Sequence, residues 1–176
     1  MMRSSIVRGT IAGTVGTLAM SGFAYTYRSL REPSEPITVT HYERVGLALT
    51  GVARRRPLGA VIEDSDSELT LEQRRRLGEV LHFAFGIANA IPLAMLARRR
   101  GRDITVAEEA LVGAGLWFLG FGGTLPALRV TGGIASMPFD ERRRSMLSHL
   151  TFGMVTALAL RLGERLGPRE GVQGRG

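Results

Sequence analysis

Two histidines stand in almost the same words at the head of two uncharged segments: HFAFG, His82 to Gly86, and HLTFG, His149 to Gly153. Imidazole titrates near pH 6.5, so a pair of such rings can pass protons, ligate an iron or share hydrogen bonds. Three readings are open. The rings serve as interhelical hydrogen-bond partners, to Ser148, Thr151, Asn89 or a loop carbonyl. Alternatively, they face one another as axial ligands of a haem. In the third reading they belong to a proton or solute path, the default suspicion for ionisable groups inside a membrane.

A spacing of four residues places side chains on one helical stripe. From His82 the stripe continues through Gly86, Ala90 and Ala94; from His149 it continues through Gly153 and Ala157. Near the N-terminus Gly9, Gly13 and Thr17 form a comparable stripe with Ala12 and Gly16 beside it. Small residues so spaced let backbones approach closely in lipid, where packing and interhelical hydrogen bonds drive association. Each histidine therefore belongs to a face that packs. The polar intramembrane candidates are His82, His149 and Asn89, and Pro92 frees the carbonyl of Ala88 in the same segment and can kink it.

Other chemistry is excluded. The chain has no Cys, hence no disulfide, thiolate metal site or thiol nucleophile. The apolar segments contain no carboxylate, and there is no HExxH and no Ser–His–Asp set that spacing could assemble. Gly120-Phe121-Gly122-Gly123 lacks the preceding strand and the downstream acid of a dinucleotide fingerprint. His41-Tyr42-Glu43 reads as ordinary loop chemistry. No enzyme, cofactor or metal is expected.

The elements that must position these residues are apolar windows bounded by arginine. All 23 basic residues of the 176 are Arg, and the net charge is +7. The aromatic-studded basic surface of a nucleic-acid binder is missing; arginines bracketing apolar runs suit anionic headgroups of a lipid bilayer. Four windows carry no charge: residues 9–27 (19 residues), 80–97 (18), 110–128 (19) and 145–160 (16). A spanning helix needs roughly 17–25 residues, the last window reaching that length if an arginine stem snorkels. A soluble bundle would need charges along the outer face of each helix, and these windows have none on any face. The expected fold is all-α, an integral membrane four-helix bundle. The basic start MMRSSIVRGT is followed by a long Gly-rich run without an A-x-A cleavage site, so the first segment reads as a retained span.

The expected organisation is a first span over 1–28, an extramembrane loop over 29–69, spans over 70–100, 105–128 and 138–166, and a disordered tail over 167–176. Thr70–Gln73 and Thr105–Glu108 fit capping boxes. Ser136 is expected to cap the fourth helix with Pro138 in its first turn, and Gly101 to stop the second. In the loop, Pro33–Pro36 signals a turn, His41 to Ala53 a short interfacial helix, and Glu63–Glu68 a solvated acidic stretch. Arginines near the membrane ends number ten on the side of the termini and nine on the other, which does not separate the two sides by charge. We take the termini as cytoplasmic.

The second and fourth windows match beyond the histidine: Arg74-Arg75-Arg76 precedes one and Arg142-Arg143-Arg144 the other, each after an acidic or amide pair. The first and third are both Gly-rich and end at Arg28 and Arg129. This reads as a duplicated helical hairpin with the repeats parallel in topology.

The first span (AGTVGTLAM), the His–aromatic–Gly starts (HFAFG, SHLTFG) and the third span (GLWFLGFGGTLP) resemble the small bacterial inner-membrane proteins of unknown function grouped with YagU. The long Arg-bearing loop departs from that pattern. The resemblance implies a four-span protein of the bacterial plasma membrane and carries over no catalytic residue. The expected function is a non-enzymatic structural role, associating with a second copy or another membrane protein through the small-residue stripes; the alternative is permeation of protons or a small solute through the histidine pair.

Overall fold

The computed structural model describes residues 2–31, 70–100, 105–127 and 132–166. The interfacial helix expected at His41–Ala53, the Pro33–Pro36 turn, the acidic Glu63–Glu68 stretch, the Gly101 stop and the tail lie outside them. Among the described residues every regular element is helical: α1 (Met2–Arg31), α2 (Leu71–Arg100), α3 (Val106–Leu119) and α4 (Phe139–Leu166). The third helix continues through a π-helical turn, Gly120–Thr124, into a last α turn at Leu125–Ala127.

Helix starts follow local chemistry. Gln73 N–H donates to Thr70 Oγ1 at 3.2 Å while Thr70 N–H donates to Gln73 Oε1 at 2.8 Å. Thr105 and Glu108 repeat the exchange at 3.1 and 2.8 Å, so two of the backbone donors exposed by each helix start are satisfied locally. The fourth helix starts differently from expectation. Ser136 lies in a 3-10 turn, Ile134–Ser136, where its hydroxyl donates to Gly133 O at 2.8 Å. Arg142 N–H donates to Pro138 O, which makes Pro138 the cap. Glycine is required at Gly133, whose φ of 85° is the left-handed region a Cβ disfavours.

The helices pack in the spatial order α2–α1–α4–α3. Each packed pair is antiparallel: Gly9 meets Ile91 and Gly13 meets Gly86 between α1 and α2, Gly16 meets Phe152 between α1 and α4, and Gly113 meets His149 between α3 and α4. Ion pairs of 3.7 Å tie the same end, Arg8 to Glu164 and Arg100 to Glu108. At the opposite end Arg143 Nε donates to Tyr27 Oη at 2.8 Å. The flanking helices α2 and α3 do not pack closely on each other, so one side of the assembly is a groove floored by α1 and α4.

Three helices are long and apolar enough to cross a membrane: Arg76–Arg100, Val106–Ala127 and Phe139–Arg165. The first helix, as long as α2, is not among them, because glycine and threonine dilute its uncharged window. Its two faces nonetheless divide sharply. Ser5, Gly9, Ala12, Gly13, Gly16 and Thr17 are buried, whereas Val7, Ile11 and Leu18 are more than half exposed. The other helices likewise turn large apolar side chains outward, among them Val80, Leu111, Phe118 and Leu158. Contiguous apolar exteriors of this kind mark contact with lipid or a partner.

Candidate functional site

The two histidines come from helices that are not packing partners, yet they face one crevice. Its walls are Thr17 and Met20 from α1, His82, Phe85 and Gly86 from α2, Leu116 from α3, and His149 and Phe152 from α4. All four helices contribute, and the only polar side chains are two imidazoles and one hydroxyl. The cavity measures about 10 Å³ within a wider, half-open cleft. That is about the least that admits one water molecule. A porphyrin does not fit between the rings in this packing.

Each polar wall is held by its own helix. Thr17 Oγ1 donates to Gly13 O at 2.8 Å. His149, buried at the α3–α4 seam, donates from Nδ1 to Ser145 O at 2.8 Å. That bond selects the tautomer: with the proton on Nδ1, the neutral ring presents Nε2 as an acceptor. Phe121 meets the ring edge-on at 6.0 Å and 81°, and is placed there by the π turn. One turn back along α3, Trp117 Nε1–H donates to Ser145 Oγ at 3.0 Å. Residue Ser145 thus holds a ring through each of its two oxygens. On α2, Nε2 of His82 is shielded from solvent, and Phe83 stands beside the ring at 6.3 Å.

Asn89 is elsewhere. It donates to Phe85 O at 2.8 Å on the exposed side of its own helix, so it neither lines the crevice nor bridges helices. Ser148 and Thr151 also turn to carbonyls of their own helix, Arg144 O and Leu147 O. The expected side-chain partners of the histidine are replaced, for His149, by a main-chain carbonyl one turn away.

The stripe residues Gly9, Gly13, Gly16, Gly86, Ala90, Ala94, Gly153 and Ala157 are all buried. Their neighbours belong to this chain. Gly86 faces Thr17 and Phe152, Ala94 clusters with Ala12 and Leu160, and Gly153 faces the main chain of Glu109.

One expectation is overturned. The spans do contain a carboxylate: Glu109 lies within Val106–Ala127, is 0% exposed, and among the described residues neither of its oxygens has a hydrogen-bond partner. Windows drawn between charges end at the charge, and so cut this residue off from its own helix. The signal was present in another form. Glu109, Gly113, Trp117 and Phe121 recur every fourth residue and are the buried face of the third helix. Gly113, which no stripe anticipated, lets α4 approach so closely that a Cβ there would overlap His149 O.

Among the described residues no three His, Asp or Glu side chains converge as a metal shell. Comparison with protein-family models, with curated proteins and with solved structures finds no match.

Proposed function

We propose that all four helices cross a membrane, the bacterial plasma membrane that the YagU-like resemblance implies, with both termini cytoplasmic. We further propose that the His82/His149 crevice is a non-enzymatic permeation point for protons or a small polar solute. The observation that carries this reading is the convergence of the two rings, from helices that share no extensive seam, on one cleft whose only other polar side chain is Thr17. Ionisable groups at such positions are costly and are characteristically found on substrate or proton paths. Support for α1 as a fourth span comes from its outward Val7, Ile11 and Leu18 and its inward glycines.

The leading expectation from the sequence, a role in association with a second copy or another membrane protein, is motivated by the small-residue stripes; it comes second here, because the neighbours of those glycines lie within the chain. Duplication of one hairpin is also part of the proposal. The glycine four residues after each histidine packs on the preceding helix, Gly86 on Gly13 and Thr17, and Gly153 on Glu109.

The test is a pH-dye flux assay on proteoliposomes of the full chain. Wild type should dissipate an imposed proton gradient at least tenfold faster than empty liposomes, and a His82→Ala/His149→Ala variant should fall to the empty-liposome rate. Coincident wild-type and variant traces, with a panel of small polar solutes also excluded, would sink the reading.

A further inference from the structure

The permeation reading uses the two imidazoles and leaves a third donor atom of the crevice wall, the thioether sulfur of Met20, without a role. Met20 is buried, and a buried methionine is ordinarily a gap-filler, so only its position can give it chemistry. Three helices meet at Gly86. A Cβ there would overlap Thr17 Oγ1 of α1 and stand 3.3 Å from the Phe152 ring of α4. From that junction each helix carries a donor one turn further on. Met20 follows Thr17 by three residues, His82 precedes Gly86 by four, and His149 precedes Phe152 by three. The first helix runs antiparallel to both α2 and α4, so all three steps lead the same way, toward the end that Tyr27 and Arg143 tie. Rises of about 4.5–6 Å put the sulfur and both imidazoles at one level of the bundle. Intervals of three and four keep them on the faces that meet at Gly86. All three accordingly line the same crevice, and a charge on His149 is felt at His82.

The donor set selects its metal. His149 gives its Nδ1–H to Ser145 O, the kind of bond to a main-chain carbonyl that fixes the tautomer of a metal-ligating histidine and leaves Nε2 its lone pair. Nε2 of His82 is shielded from solvent. Thr17 stands apart, because its hydroxyl donates to Gly13 O. Two imidazoles and a thioether remain, and no carboxylate lines the crevice. A divalent ion would bring two uncompensated charges among Phe85, Leu116 and Phe152, and the cost of desolvating an ion rises with the square of its charge. Monovalent copper carries a single charge, is soft enough for thioether sulfur, and is also bound by imidazole. It is satisfied by two or three donors. The cavity of about 10 Å³ suits one bare ion, and the half-open cleft is its way in.

We propose that the crevice is a binding site for copper(I), with His82, His149 and Met20 as its ligands. This goes beyond the permeation reading, since binding an ion there requires no passage of anything across the bundle.

The experiment uses the full chain in detergent micelles, with Cu⁺ kept reduced by ascorbate under nitrogen and titrated against bicinchoninate as a coloured competitor. Wild type should retain one Cu⁺ per chain, and the X-ray absorption spectrum of the loaded protein should show both nitrogen and sulfur neighbours. Met20→Leu conserves volume and so keeps the packing; it should lose the sulfur signal and at least tenfold in affinity. His82→Ala/His149→Ala should lose at least a hundredfold. Met154→Leu, at an exposed position of α4, should match wild type. A wild type that leaves all Cu⁺ with the competitor, a sulfur signal that survives Met20→Leu, or Zn²⁺ retained as tightly as Cu⁺ would overturn the assignment. Copper retained alongside flat proton-flux traces would fail the permeation reading alone, and flux without retained copper would fail this one alone.

Discussion

Substituting Gly153 by alanine isolates the term that holds α3 against α4. A Cβ built at Gly153 would overlap Glu109 O and crowd its carbonyl carbon at 2.8 Å and Ala110 N at 3.2 Å. All three atoms are main chain, so no rotamer change relieves the clash; one helix must move off the other. Overpacking of this kind costs typically about 1–3 kcal/mol, and a backbone-on-backbone contact belongs at the upper end. Alanine simultaneously improves helix propensity by about 1 kcal/mol. The net expectation is a loss of about 2 kcal/mol. Gly115 provides the reference, because it lies on the same seam's outer helix with nothing within 4 Å of its Cβ. There alanine should gain about 1 kcal/mol by propensity alone. The propensity term cancels between the two, leaving a gap of about 3 kcal/mol that reports the interhelical contact. Equilibrium unfolding in mixed micelles, followed by Trp117 fluorescence, reads both variants against wild type. Equal stability of Gly153→Ala and Gly115→Ala would refute the close packing of Gly153 on the Glu109 main chain.

Two further substitutions test other contacts. Asn89→Leu should leave stability within about 0.5 kcal/mol and proton flux unchanged, since its amide donates to Phe85 O of its own helix; a large loss in the same unfolding assay would restore a bridging role. Ser145→Ala removes the acceptor for Trp117 Nε1 while leaving the carbonyl that holds His149; it should cost about 1 kcal/mol and shift the emission of the single Trp, and an unchanged spectrum would contradict the bond.

What was legible in the residues was whatever local geometry writes directly. The Thr–x–x–Gln and Thr–x–x–Glu pairs mark the starts of α2 and α3 because a capping box closes within four residues. The small-residue stripes identified buried faces because a period of four is a property of any helix, whatever it packs on. Partnership between helices was not legible. Gly9, Gly86 and Gly153 announce close approach without saying to which neighbour, so the groove between α2 and α3 and the central place of α1 emerge only in three dimensions. The start of the fourth helix was misread because Ser136 has the chemistry of a cap, while the hydroxyl is spent on Gly133 O in a turn that ends just before the helix. Asn89 misled for a similar reason: a polar side chain on an apolar helix suggests a partner across the interface, but the carbonyl four residues back is always nearer.

The glycine- and threonine-diluted window of α1 and the burial of Glu109 have a common physical origin. On the proposed membrane reading, a helix in the middle of the bundle gains nothing from large apolar side chains on its inner faces, because lipid is as apolar as leucine; it gains from small residues that bring backbones together. Consequently α1 and the seams of α4 carry Gly, Ala, Ser and Thr inside, and the aliphatic residues are left for the exterior. Such an interior is close-packed yet polar in composition. It can shelter two imidazoles, a hydroxyl and a carboxyl where an ordinary soluble core of leucine would exclude them. The helix that does this most is the least apolar along its uncharged stretch, and the residue buried most completely is a charged one at the edge of an apolar run. Both features point inward, to the crevice that His82 of α2 and His149 of α4 share and to the α3–α4 seam where Glu109 is buried.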